Sequence, residues 1–123
     1  MFQGFVPGRH QIDSFGNGGF RFADMSHRGS ILALPSGIHA WHVAAIADAG
    51  PEDLAPILAE REAIDFLLVG TGADLRFLPK NLRAMLKEAG LGVEVMATGA
   101  AARTFNVVIA EGRRVAGAFV AVP

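Results

Sequence analysis

"IDFLLVGTGADLRFLPKNLRAMLKEAGLGVEVMAT", residues 64–98, decides the fold. It opens on a continuous apolar run, "AIDFLLV" (63–69), of the length expected for a strand covered on both faces. The run ends at Gly70-Thr71-Gly72. Pro79 then stands near a helix start and Gly90 at its stop. Between them Leu82, Leu86 and Ala89 recur at i, i+4 and i+7, while Lys80, Arg83 and Lys87 fall on the water side. "GVEVMA" (92–97) is the next strand. Strand, helix and strand in that order predict a right-handed parallel crossover.

Downstream, "TGAAARTFNVVIAEGR" (98–113) reads as a second helix, with Thr98 as its N-cap and Gly112 as its end. Ala101, Phe105 and Val108 mark its buried face, and "RRVAGAFVAV" (113–122) closes the chain as another apolar strand. Upstream the chain reads as β. Short strands around Ile12 and from Phe20 to Ala23 flank "FGNGG", whose glycines supply positive φ. "MSHRG" (25–29) reads as a second turn, leading into the strands "SILALP" (30–35) and "GIHAWHV" (37–43). "DAGPEDLAPILAER" (48–61) predicts a short helix with Asp53 as N-cap, Pro56 in its first turn and Leu54, Ile57 and Leu58 buried. The expected architecture is α/β: one domain, residues 1–123, with a β-rich amino-terminal part and a βαβαβ core.

A chain of 123 residues fits one domain that buries roughly two-thirds of its unfolded surface. Half of it is hydrophobic and the mean hydropathy is +0.35, ample for a core. Eleven basic residues against twelve acidic ones, with no long run of one sign, argue against a nucleic-acid surface. The absence of cysteine excludes disulfides, thiol catalysis and zinc–thiolate sites. The start "MFQGFVPGRH" lacks a secretory pattern, and no segment approaches the ~20 apolar residues of a bilayer span. A cytoplasmic protein is the expectation.

The Gly-Thr-Gly turn invites a nucleotide reading. A dinucleotide fingerprint needs a third glycine where Leu75 stands, its helix would start too late, and Glu94 lies inside a strand. No Walker-type string exists, so a corner is favoured over a cofactor clamp. Position still matters, because ligands of open α/β sheets bind outside the carboxyl ends of strands. Gly70, Thr71, Gly72, Thr98 and Gly99 are expected at such an end, with Arg103 one turn into the second helix. Together with Asn106, Glu111 and Arg113 they form the candidate pocket. The favoured reading keeps them structural: Thr98 caps, Gly99 avoids a clash, Arg103 pairs with an acid, Asn106 bonds a neighbouring loop, and Glu111 pairs with Arg113 or Arg103. His39 and His42 flank Trp41 on a strand and point apart, so no metal site is expected. Ser14, Ser26, Ser30 and Ser36 stand in no nucleophile elbow, and no catalytic residue is assigned. Asp65 and Asp74 would titrate unusually if buried, and exposed strand-end carboxylates are the usual case.

"TGAAARTFNVVIAEGRRVAGAFV" together with "IDFLLVGTG", "FLPKNLRAML", "VEVMAT", "GGFRF" and Trp41 resembles a conserved domain family of unknown function. That family includes the mitochondrial assembly factor for respiratory complex I (NADH:ubiquinone oxidoreductase). The resemblance covers nearly the whole chain. It implies a three-layer α/β fold with a central mixed sheet and an additional β element, no established reaction and no obligatory cofactor. The matching positions are Gly70, Gly72, Pro79, Met96, Thr98, Ala101, Asn106, Glu111 and Arg113. Where the family usually has Tyr this chain has Phe105, and where it often has a cysteine this chain has Ala102. A non-enzymatic role with protein partners, among them respiratory-complex components, is therefore expected; a small-molecule pocket at the strand ends is the alternative.

Overall fold

Residues 66–70 are apolar throughout because both their faces find cover. The computed structural model describes residues 2–123. Its elements run β1 (Phe5–Pro7), β2 (Ser14–Gly16), β3 (Gly19–Phe22), β4 (Met25–Arg28), β5 (Ser30–Leu34), β6 (Gly37–Trp41), α1 (Ala55–Ala59), β7 (Phe66–Gly70), α2 (Lys80–Glu88), β8 (Gly92–Met96), α3 (Thr98–Ala110) and β9 (Val115–Phe119). Six strands form a mixed sheet in the order β1-β6-β5-β9-β7-β8, and β2, β3 and β4 form a separate antiparallel sheet. Both β8 and β9 pair with β7 in parallel, as the strand–helix–strand spacing predicts. β9 also pairs antiparallel with β5 and so joins the two halves of the chain.

Alternation sorts the side chains into two cores. Leu32, Leu34, Leu67, Val69, Ala116 and Ala118 face one way and pack with Leu54 at the start of α1, Ile57 within it, and Leu82 and Leu86 of α2. Ile31, Ala33, Leu68, Val115 and Phe119 face the other way. They meet Ala101, Ala102, Phe105 and Val108 of α3 and Phe20 and Phe22 of the small sheet. The result is three layers, as the resemblance implies: α1 and α2, the large sheet, then α3 beside the small sheet. No helix of the described residues is long and apolar enough to cross a membrane.

Three local readings are corrected. "MSHRG" is strand β4, not a turn; the turn lies earlier, at Ala23 and Asp24, both with positive φ. Asp53 does not cap α1. It ends inside a preceding 3-10 turn, Pro51–Leu54, where its Oδ2 accepts the Gly50 N–H at 2.8 Å. Thr98 is the first residue of α3, and the N-cap is Ala97, which has no side-chain acceptor to offer.

Candidate functional site

The carboxyl ends of β7 and β8 lie side by side, and their main chains knit together there. Thr71 donates its N–H to Met96 (2.8 Å), Thr98 donates to Gly72 (2.8 Å), and Val120 donates to Gly70 (2.9 Å). The Thr98 hydroxyl accepts the Gly72 N–H at 2.9 Å and donates to the Val120 carbonyl at 2.7 Å. Its side chain is wholly buried. Gly70 makes this closeness possible, since a Cβ there would lie 2.9 Å from the Thr98 Cα and 3.0 Å from its Oγ1. Main-chain and hydroxyl groups of the residues expected to wall a crevice are thus bonded to one another and to Val120.

The second threonine shapes what leaves this joint. The Thr71 hydroxyl donates to the Asp74 carbonyl at 2.8 Å and accepts the Arg76 N–H at 3.0 Å. Leu78, buried, pins the far end of the loop to the core. Between these anchors Leu75 is 58% and Phe77 88% exposed. A phenylalanine this bare on a braced loop has no role in the core. The sequence reading did not select it. The available signal was an i, i+2 apolar pair in a segment belonging to neither strand nor helix.

The remaining candidates scatter along α3, whose thirteen residues span about 20 Å. A Cβ on Gly99 would lie 2.8 Å from the Phe15 ring and 3.5 Å from Arg103 Nη1. Gly99 therefore makes room for these two side chains. Arg103 has no carboxylate within ion-pair distance among the described residues, so the expected acid partner is not found. It lines a cleft of about 320 Å³ with Ile12, Phe15 and Asn106. Asn106 brackets the amino-terminal segment: its Oδ1 accepts the Ile12 N–H and its Nδ2 donates to the Ile12 carbonyl, both at 2.8 Å. Glu111 and Arg113 sit past the carboxyl end of α3, 4.0 Å apart and exposed. Arg113 also lies 5.1 Å over the Phe66 ring, a cation–π contact. The nine candidates therefore divide into a strand-end joint, a mid-helix cleft and a helix-exit pair.

Of the other titratable groups, Asp65 is exposed and held below the usual carboxylate range by the hydrogen bond from Arg114. His39 meets Ser36 Oγ at 3.0 Å, and burial lowers its pKa despite Glu60. His42 Nε2 lies 2.7 Å from the buried Asp53 Oδ1, off the direction of a hydrogen bond.

Residues 12–120 match the model of a family described as "Protein of unknown function (DUF498/DUF598)". The chain is 43% identical to an uncharacterised protein of Rhodobacter capsulatus, over 99% of this chain and 90% of that one. It is 32% identical to a Danio rerio protein named NADH dehydrogenase [ubiquinone] 1 alpha subcomplex assembly factor 3, over 91% of this chain and 64% of the relative. The chain thus spans less than two thirds of that relative's length. Among solved structures, the crystal structure of an outer membrane protein from Bartonella henselae is 50% identical with a TM-score of 0.91, over 95% of this chain and 98% of that one.

Proposed function

The chain belongs to the DUF498/DUF598 family, and from that membership we propose that it is a non-enzymatic, cytoplasmic assembly factor that binds protein partners during construction of respiratory complex I. Relatives that carry the assembly-factor name and align over about nine-tenths of this chain support the reading. The observation that carries it is chemical. The two threonine hydroxyls at the strand ends, where an α/β fold would place reactive or ligand-binding groups, are bonded to main-chain atoms of the protein itself. A site whose polar groups are committed in this way holds the chain in shape and leaves its outer surface to meet partners.

The experiment is affinity purification of the tagged full chain from its source cells at native expression, paired with a deletion strain. Respiratory-complex subunits or membrane-insertion components are expected among the co-purified proteins, and assembled complex I should fall in the deletion strain. Normal complex I and no such partner would overturn the reading.

A second reading retains a small anion at the cleft beside α3. Arg103, without an acid partner among the described residues, beside Asn106 favours it. Inorganic phosphate should then raise the melting temperature, and Arg103→Gln should abolish that rise; no rise sinks it.

A further inference from the structure

We propose that the loop carrying Leu75 and Phe77, together with the outward face of α2, attaches this protein to the surface of an anionic bilayer. The two side chains enter the headgroup layer, while Arg76, Lys80, Arg83 and Lys87 take up anionic lipid headgroups. The inference stands on the loop and helix alone and does not rest on the assembly role.

Three observations converge on it. The first is the display of apolar surface. Leu75 and Phe77 stand two apart in a loop, 58% and 88% exposed, and the Thr71 hydroxyl and the buried Leu78 fix the base of that loop. The apolar tip is held out rather than left to collapse, so little freedom is lost when it inserts.

The second is charge. Residues 74–88 carry four basic groups against Asp74 and Glu88, while the rest of the chain carries seven basic against ten acidic. Both lysines of the protein lie here. Lys80, Arg83 and Lys87 recur at i, i+3 and i+7, all exposed, on the face of α2 turned away from buried Leu82 and Leu86. Arg76 stands between the two apolar side chains, 3.5 Å from Asp74 in an exposed pair. A slightly acidic protein has gathered a positive stripe on the helix that follows its barest aromatic residue by three positions.

The third is the kind of cation. Lysine is depleted where proteins meet proteins, because its hydrated ammonium is costly to desolvate and its stem loses entropy on fixing. At a bilayer it keeps its water, lays its stem along the apolar boundary and sits among anionic headgroups. A row of cations flanking an aliphatic and an aromatic tip matches the composition of segments that lie in the membrane interface. Such attachment needs no spanning helix.

The test is co-sedimentation of the purified full chain with phosphatidylcholine vesicles, with and without phosphatidylglycerol. Binding is expected only with the anionic lipid, and it should weaken as salt rises. Lys80→Gln with Lys87→Gln should lower affinity about thirtyfold, and Leu75→Ser with Phe77→Ser should abolish sedimentation. All four positions are exposed, so each double variant should keep the wild-type melting temperature. In a Phe77→Trp variant the tip fluorescence should shift to the blue on adding anionic vesicles, against a constant background from buried Trp41; inorganic phosphate alone should leave it unchanged. Equal binding to neutral vesicles, variants that sediment like wild type, or the same shift with free phosphate would overturn the proposal. So would Phe77-dependent capture of a soluble protein without vesicle binding, which would make the loop a protein contact.

Discussion

The Thr98 hydroxyl bonds two chain segments at once, accepting from Gly72 and donating to Val120 with no access to water. Replacing it with valine keeps the shape and removes both bonds, leaving a buried N–H and a buried carbonyl unpaired. Thr98→Val should therefore lose about 2–4 kcal/mol in urea unfolding. Thr98→Ser, which keeps the oxygen and gives up one methyl, should lose only about 1 kcal/mol. Equal losses would show that the methyl, not the hydroxyl, matters. Sequence alone places Thr98 at the strand end and predicts a helix cap there. That assignment follows local rules, in which a threonine before a helix serves its own N–H groups. The real partners lie 26 and 22 residues away, and no spacing rule reaches them. Asn106 was easier: a polar residue on a buried face needs a partner, and the neighbouring segment at Ile12 supplies both halves of it.

Elements were legible where a helical period or an unbroken apolar run marks them. β7, α2, β8, α3 and β9 all fall where apolar spacing and glycine or proline stops put them. The small sheet was half legible. Asn17-Gly18 is a recognisable hairpin turn, and both residues have positive φ. The next turn uses Ala23 and Asp24 in the same left-handed region, where alanine gives no warning, so the strand after it was read as the turn. Packing between elements sets its own test at Gly70. There α3 approaches β7 so closely that a methyl would meet the Thr98 backbone at 2.9 Å and the Ala101 Cβ at 3.3 Å. Gly70→Ala should cost about 1–3 kcal/mol, because backbone rather than a flexible side-chain end must give way. Gly92→Ala in β8 is the control. Its methyl would reach the Phe66 Cβ at 3.6 Å, an ordinary contact, and stability should change by less than about 0.5 kcal/mol. If both variants unfold alike, close helix–sheet approach is not what fixes glycine at position 70.

At the scale of the whole molecule, the β-rich amino-terminal part and the parallel core become one body because β9 lies between β5 and β7. A continuous apolar run identifies β9 as a strand but does not name its neighbours, which is why the joint was not legible. The amino-terminal segment then closes over two histidines. Phe2 packs edge-on against His27 with centroids 4.9 Å apart, and Phe5 tilts against His39 at 4.6 Å. Burial lowers both pKa values from the ordinary 6.5, although a backbone hydrogen bond at Ser30 opposes the shift at His27 and the Glu60 charge opposes it at His39. The sign follows from proton counting. Above about pH 7 both rings are neutral folded or unfolded and contribute no pH dependence. As pH falls through 6.5 the unfolded chain takes up protons that the folded rings still refuse, so stability declines until the folded rings titrate as well. Exposed Asp65, whose pKa the Arg114 hydrogen bond lowers, acts in the same direction only under more acidic conditions, around and below its ordinary 3.8. Melting temperature should thus be flat from pH 8 to about pH 7 and fall as pH drops through about 6.5. His27→Gln with His39→Gln should flatten that fall, and hydrogen exchange at mildly acid pH should show residues 2–7 opening first. A melting temperature that rises on acidification would mean the two rings gain stability from their charge, and that Phe2 and Phe5 do not close over neutral imidazoles.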